Sequence, residues 1–557
     1  MTQAHPTGAR ALVDALLTHG ADTAYCVPGE SYLAVLDALY DVRDRLKLVV
    51  CRQEGGAAYM ADAYGKLTGK PGICFVTRGP GATNAAVGVH TAFQDSAPMI
   101  LFIGQVGRGM LEREAFQEID YRRMYGQMAK WVAQIDDASR IPEFVSRAFH
   151  IATSGRPGPV VLALPEDMQH EPCTVAQPQP FRRVMPSPAQ ADMAELRSRL
   201  AAAQRPLMIL GGRGWNDAAC ADIRRFAEAW QLPVACAFRY QDLFDNTHPL
   251  YAGDVGLGVN PKLAARVREA DLVLAVGPRL GESTTSGYAL FDIPRPKQAL
   301  VHVHAGIDEL GRVYAADLPI NAGYPEFAAA ASELVPPASL NWVGSAETAR
   351  GDYLAWTEPP ATPGELQMGE VMRWLRERLP ADAILTNGAG NYAIWLHRFY
   401  RYRQFGTQLA PTNGSMGYGV PSAVAAKIAQ PARIVVSFSG DGCFMMNGQE
   451  FATAVKYGAA VVFVVVNNSM YGTIRMHQER EFPDRISGTE LANPDFAALA
   501  RAYGAFGEVV TRTEAFAPAF ERALSAGGPA LIELRTDPEV ITPSATITQI
   551  KGQSKRR

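Results

Sequence analysis

The chain predicts an α/β protein built from three doubly wound, parallel sheets. Three observations carry that prediction. Short apolar, β-branched runs alternate with helical patterns along the whole sequence, as βαβ construction requires. The clearest runs, Ala459 to Val466 above all, are apolar without interruption, which is how a strand buried on both faces reads. Two proline-rich, weakly periodic stretches, Glu171 to Pro188 and Val335 to Pro363, leave segments of about 170, 145 and 190 residues, each within the usual domain range. The expected domains are residues 1–170, 189–335 and 364–545.

In the first segment the pattern gives a helix Gly8 to His19, strands Thr23 to Val27 and Leu48 to Cys51, a helix Gly55 to Leu67 and a strand Gly72 to Thr77. The middle segment carries Pro206-Leu-Met-Ile-Leu-Gly-Gly212 and Asp271-Leu-Val-Leu-Ala-Val-Gly277, two buried strands that end in glycine. The third begins with a helix Met368 to Leu379 and a strand Ala383 to Thr386. It continues through Arg433 to Phe438, a helix Met446 to Tyr457 closed by Gly458, and the Ala459 run.

Composition narrows the function. Apolar residues make up 48% of 557, enough for several cores, and 53 basic against 56 acidic residues leave a net charge of −3. No basic surface follows, so a nucleic-acid partner is not expected. The basic tail Lys551 to Arg557 reads as a frayed, solvated terminus. No apolar run approaches a membrane span of roughly 18 residues, and the first residues lack a secretory pattern. Seven cysteines stand singly with no CxxC pair, which suits reduced thiols in a cytoplasmic protein.

The third segment holds the most informative pair of motifs. Gly440-Asp441-Gly442 ends one apolar run, and Asn467-Asn468 ends the next, roughly two dozen residues on. In a βαβ unit the two strands are parallel, so both motifs reach the same sheet edge, where open α/β sheets bind ligands. A carboxylate and an amide oxygen on tight turns suit Mg²⁺, which takes one or two protein oxygens and completes its shell on ligand phosphates.

Two further motifs follow strands in the first segment. Cys51-Arg-Gln-Glu54-Gly-Gly sets a carboxylate at a strand-to-helix junction, where simple helix capping is the plainer reading. Thr77-Arg-Gly79-Pro-Gly81-Ala-Thr-Asn84 reads as a tight glycine loop.

Together, GDG…NN, the GPGATN loop and the later Gly104-Gln-Val and Ala115-Phe-Gln-Glu118 resemble the acetolactate synthase and pyruvate oxidase superfamily of thiamine diphosphate enzymes. The resemblance runs from about residue 8 to about residue 540 and is nearest to the acetolactate synthases. It implies pyrimidine-binding, central and diphosphate-binding domains, with thiamine diphosphate and Mg²⁺ as cofactors. It implies that Glu54 is catalytic and shares a proton with the pyrimidine ring, in an apolar cleft that raises its pKa. Asn84 lies near it. Met416, in Gly414-Ser-Met416-Gly, would support the bend of the cofactor, with the Gly414 carbonyl on its amine. The diphosphate would lie on Gly388-Ala389-Gly390-Asn391-Tyr392 and on Gly440, Gly442 and Cys443. Asp441, Asn468 and the Met470 carbonyl would hold the metal.

The implied activity is decarboxylation of a 2-keto acid such as pyruvate and ligation of the remaining fragment to a second carbonyl compound. The alternatives are a 2-keto acid decarboxylase or C–C lyase without ligation, or a flavin-dependent pyruvate oxidase. The implied assembly is a homodimer or dimer of dimers, with Glu54 acting across subunits. FAD would bind the middle domain at Gly211-Gly212-Arg213, Gly256 to Asn260 and Gly277-Pro-Arg279.

The chain departs from the family at three places. His477 stands where the biosynthetic enzymes carry a tryptophan, and Glu30 stands where they carry glycine. Val301-His302-Val303-His304 replaces an acidic stretch. Glu30 and His477, with Phe116, Gln117 and Lys130, are the candidate substrate contacts.

Overall fold

A computed structural model of the chain describes residues 6–174, 176 and 179–554. Residues 175, 177 and 178 of the first proline-rich stretch, 1–5 at the start and 555–557 of the basic tail lie outside the described residues. Three six-stranded parallel sheets carry the fold.

The first sheet is ordered β2-β1-β3-β4-β6-β5, from β1 (Thr23–Cys26), β2 (Lys47–Val50), β3 (Gly72–Val76), β4 (Met99–Gln105), β5 (Trp131–Gln134) and β6 (Pro159–Pro165). The second, β12-β11-β10-β7-β8-β9, uses β7 (Pro206–Leu210), β8 (Val234–Cys236), β9 (Tyr251–Asp254), β10 (Leu272–Val276), β11 (Ala299–His304) and β12 (Leu318–Asn321). The third, β14-β13-β15-β16-β18-β17, uses β13 (Ile384–Asn387), β14 (Gln408–Leu409), β15 (Val435–Gly440), β16 (Val461–Asn467), β17 (Phe506–Val510) and β18 (Ala530–Arg535). The uninterrupted apolar run in β16 is buried throughout, because helices cover both faces of the sheet.

Each sheet has a central point at which its strand order reverses: between β1 and β3, between β7 and β10, and between β13 and β15. The loops that follow those strands diverge to opposite faces and leave a crevice at the carboxyl edge. The motifs read from the sequence fall there: Glu30 and Arg78 in the first sheet, Gly211 and Gly277 in the second, Gly388–Asn391 and Asp441 in the third.

By its internal contacts the chain groups into two compact units. One runs up to Val184 and includes Val424–Ala429 and Asn447–Tyr457. The other comprises Met185–Ala423, Gln430–Met446 and the chain from Gly458 onward, so it contains the second and third sheets. Buried polar groups join those two sheets. Asp242 Oδ2 accepts the Thr407 and Gln408 N–H groups, and Gln408 Nε2 donates to Gln241 Oε1 at 3.0 Å. Polar groups paired within a core hold neighbouring elements in one register, and leaving them unpaired is costly.

Four local readings are corrected. Val335 to Pro363 is not a bare linker: Ser345–Trp356 is helical, and Ala346, Ala349 and Tyr353 bury one face of it. The Tyr353 ring meets Tyr251 edge-on at 5.0 Å. The tail before residue 555 is helical from Ile547 to Ser554, with Ile547 and Ile550 buried and Lys551 paired to Asp484. Gly79–Asp95 is a helix from its first glycine, because Pro80 fits the first turn, where no N–H donor is needed. Likewise β15 runs directly into the helix Asp441–Asn447 with no turn between, and a 3₁₀ turn at Gly448–Glu450 separates it from Phe451–Lys456.

Candidate functional site

In the second unit, the carboxyl edge of the third sheet opens on a cavity of about 260 Å³. Twelve residues singled out in the sequence line it: Ala389, Gly390, Asn391, Tyr392, Gly414, Met416, Gly440, Asp441, Gly442, Cys443, Asn468 and Met470. The segments at the carboxyl ends of β13, β15 and β16 supply most of them, which is why residues far apart in the chain converge.

The glycines let backbone form the wall. Gly390 has φ +142°, a conformation that side chains disfavour. A Cβ at Gly388 would lie 2.5 Å from Cys443 Sγ, and one at Gly442 would lie 2.6 Å from Tyr471 Cε1. Two side chains bind the turns together. The Tyr392 hydroxyl accepts Gly388 N–H at 3.0 Å, and Cys443 Sγ accepts Gly417 N–H at 3.2 Å. Asn391 accepts from the Thr473 hydroxyl at 2.8 Å and donates to the Ile541 carbonyl at 2.9 Å, fixing the loop after β13. Met416 is half-buried and packs against the core of the third sheet.

Asp441 is buried, and burial raises its carboxyl above the ordinary value, against the pull of the Gly442 N–H and the Asn493 amide. Its Oδ1 accepts Gly442 N–H at 2.9 Å and its Oδ2 accepts Asn493 Nδ2 at 2.8 Å. Asn468 Oδ1 closes its own turn on the Met470 N–H at 3.3 Å. A carboxylate, an amide oxygen and a main-chain carbonyl on one wall form a hard-oxygen donor set that fits Mg²⁺. Among the described residues no group of three His, Cys, Asp or Glu could hold a metal alone. A cation held by these three oxygens alone would leave the rest of an octahedral shell to water or to ligand oxygens.

In the first unit, Glu54 opens the helix Glu54–Thr68 directly after β2. It is half-buried in the single chain. Its Oε2 accepts Asn84 Nδ2 at 2.9 Å, so the structure brings these two residues together. Glu30 is exposed and lies 3.6 Å from the guanidinium of Arg78, which also donates to Glu166 at 2.6 Å. Gln117 sits against the glycine helix start, its carbonyl accepting Gly79 N–H at 2.9 Å, and Phe116 is exposed.

Lys130 is corrected. It precedes β5 and so lies at the amino edge of the sheet, away from Glu54. Its ammonium donates to the Ser154 and Arg156 carbonyls at 2.8 Å each and to that of Ile151, closing the end of the helix Ile141–Thr153. His477 is exposed on the helix Gly472–Glu481 and is not among the cavity's lining residues, whereas Thr473 and Ile474 are.

Sequence reasoning missed Glu450. Its buried carboxylate accepts the Arg52 N–H at 3.0 Å and the Gln53 N–H at 2.9 Å, immediately before Glu54. Nothing in local sequence signals a contact across almost 400 positions, other than a glutamate that interrupts an apolar helix. Asn493 was missed for the same reason.

In the central domain the two glycine turns touch: Gly211 N–H donates to Val276, and a Cβ at Gly277 would lie 2.1 Å from the Gly211 carbonyl. His302 and His304, at the end of β11, are buried. His302 Nε2 is 2.9 Å from the Pro278 carbonyl, and burial lowers its pKa.

Three stretches of the sequence match the thiamine pyrophosphate enzyme descriptions: N-terminal TPP binding domain over residues 6–124, central domain over 193–330 and C-terminal TPP binding domain over 388–534. The chain is 34% identical over 544 residues to the acetolactate synthase large subunit of Parasynechococcus marenigrum, covering 95% of this chain and 87% of that protein. It is 30% identical over 536 residues to the acetolactate synthase isozyme 2 large subunit of Escherichia coli, covering 95% of each. It is 31% identical over 512 residues to the acetolactate synthase large subunit of Lactococcus lactis, covering 89% of this chain and 87% of that one. No helix among the described residues is long and apolar enough to cross a membrane.

Proposed function

Because the chain belongs to the thiamine pyrophosphate enzyme family, we propose that it decarboxylates a 2-keto acid such as pyruvate and ligates the remaining fragment to a second carbonyl compound, as acetolactate synthases do. The observation that carries the reading is the single cavity in which Gly390, Gly440, Gly442, Asp441, Asn468 and Met470 meet.

Thiamine diphosphate, when bound, supplies the electron sink that decarboxylation needs. The chain's own residues bind it, orient it and move a proton. Backbone at Gly390, Gly440 and Gly442, which carry no side chain of their own, would take the diphosphate. Asp441, Asn468 and the Met470 carbonyl would hold Mg²⁺, whose charge would offset the cost of burying the Asp441 carboxylate. Met416 and the Gly414 carbonyl would orient the rest of the cofactor. Glu54, held by Asn84, carries the shared proton for the pyrimidine ring.

In the finer reading Glu54 serves a cofactor bound to a second copy of the chain, in a homodimer or dimer of dimers located in the cytoplasm. Glu30 and Arg78 then lie beside the substrate, with Phe116 and Gln117 near its path. His477, exposed on the helix Gly472–Glu481, is a further candidate substrate contact. For FAD the glycine turns of the central domain are in place. The acidic partners are not, since His302 and His304 stand there, and no step of the reaction is assigned to flavin.

Glu54→Gln tests the reading. The amide oxygen of Gln can still accept from Asn84 but cannot exchange a proton. Thiamine diphosphate binding, followed by circular dichroism, is expected to persist while turnover of pyruvate falls by roughly 10²–10⁴-fold. Turnover within threefold of the unaltered enzyme refutes the role. Analysis of the product for acetolactate against acetaldehyde or acetate separates ligation from simple decarboxylation and from oxidation.

A further inference from the structure

We propose that Asn493 is a positioning residue that locks the helix start at Asp441 and the turn after β16 into one register. The proposal rests on the reading of Asp441 and Asn468 as cation ligands. One side-chain nitrogen does the work: Asn493 Nδ2 donates to Asp441 Oδ2 at 2.8 Å and to Asn467 Oδ1 at 3.0 Å. An amide NH₂ has two hydrogens, so both donors are used, one on each motif.

The effect on each motif follows from the bonds. Asp441 has its other oxygen on the Gly442 N–H, so Asn493 removes the remaining rotational freedom of the carboxylate. Asn467 Oδ1 also accepts Ser469 N–H at 3.0 Å, and Asn467 Nδ2 donates to Glu533 Oε1 at 2.8 Å. Glu533 is buried and held in turn by Arg535 Nε at 2.9 Å. The polar chain Arg535–Glu533–Asn467–Asn493–Asp441 therefore runs along the carboxyl edge from β18 to β15. Asn468 follows Asn467 in the same turn, where its own Oδ1 accepts the Met470 N–H at 3.3 Å.

Asn493 reaches this position because its segment pairs with the turn after β16. Leu491 N–H donates to the Ser469 carbonyl at 2.9 Å, and Tyr471 N–H donates to the Thr489 carbonyl at 2.9 Å. A second, polar cavity lies against the same residues, lined by Asn467, Asn468, Ser469, Asn493, Glu533 and Arg535. Residues that orient metal ligands typically contribute 10- to 100-fold in metal affinity or activity.

The test uses the full chain with saturating thiamine diphosphate and Mn²⁺ as the probe, read by electron paramagnetic resonance. The unaltered protein is compared with Asn493→Ala and Asn493→Asp. Asn493→Ala is expected to weaken Mn²⁺ binding by roughly 10-fold, and Asn493→Asp, which sets a carboxylate against Asp441, by up to roughly 100-fold. At saturating Mn²⁺, Asn493→Ala should regain kcat while its metal KM stays raised. A purely structural role would lower the thermal midpoint of the metal-free protein instead and leave that split absent. Mn²⁺ affinity within twofold of the unaltered chain, or a loss that tracks the thermal midpoint, overturns the proposal for Asn493. Failure of the unaltered protein itself to bind Mn²⁺ overturns the cation-site reading beneath it.

Discussion

Removing the Glu450 carboxylate should loosen the chain at Glu54, although the two residues lie far apart in sequence. Glu450 Oε1 accepts the Arg52 and Gln53 N–H groups, and Oε2 accepts the Thr453 hydroxyl. Glu450→Ala leaves two part-buried backbone donors without their protein partner. Water reaches them in part, so the local cost is about 1–3 kcal/mol in all. Glu450→Gln keeps an oxygen for both N–H groups and offers its NH₂ to Thr453, so its cost should stay within about 1 kcal/mol.

The pH dependence separates the two variants further. Burial raises the Glu450 carboxyl above the ordinary 4.5, and the Thr453, Arg52 and Gln53 hydrogen bonds only partly oppose it. Between 4.5 and that raised value the folded state holds a proton that the unfolded state has released. Its stability therefore falls as pH rises through the window and is level above it. Glu450→Gln abolishes that slope.

Several sheets in one chain do not unfold in a single step, so hydrogen exchange at the Arg52 and Gln53 amides is the assay. Faster exchange in Glu450→Ala, with near-native exchange in Glu450→Gln, is expected. Turnover in Glu450→Ala should fall roughly 10- to 100-fold, because the helix that begins at Glu54 loses its anchor. Equal exchange in both variants, or an unchanged slope in Glu450→Gln, refutes the reasoning.

Two further substitutions probe the remaining assignments. Gly442→Ala gains about 1 kcal/mol of helix propensity but drives a methyl to 2.6 Å from Tyr471, a cavity-lining side chain. Fluorescence titration should then show thiamine diphosphate affinity reduced at least about 10-fold while the melting temperature changes little; native affinity counts against the glycine wall. Lys130→Ala removes a cation that closes a helix end, so it should lower stability by about 0.3–1 kcal/mol and leave kcat/KM within twofold. A raised KM would restore Lys130 as a substrate contact.

The sheets were legible because parallel strands buried on both faces leave an unmistakable apolar signature, as in β16. The edge motifs were legible because glycine and hard-oxygen side chains at strand ends have few other uses. Boundaries were misjudged where chain chemistry admitted two readings. Gly79-Pro80-Gly81 reads as a turn, yet proline in the first helical turn and glycine under close packing suit a helix start equally well. The stretch 335–363 reads as a linker from its prolines, yet Ala346, Ala349 and Tyr353 lie at helical spacing. Lys130 was assigned by resemblance alone. Its place before β5, at the amino edge, argues against substrate contact.

What local sequence could not show are the partners that hold the motifs still. Asp441 and Glu54 announce themselves by context, but each is oriented by a residue from elsewhere in the chain. Asn493 fixes Asp441, and Glu450 fixes the backbone before Glu54. Both contacts are single hydrogen-bonding side chains whose own surroundings look ordinary, an Asn-Pro turn and a helical glutamate. Their effect comes from topology. Parallel sheets deliver strand ends to one edge, and that edge concentrates unpaired backbone and charged side chains which neighbouring segments must satisfy. A ligand-binding edge in this fold therefore requires distant polar residues behind its ligating groups. Substitutions at those supports should lower affinity and rate before they abolish the chemistry.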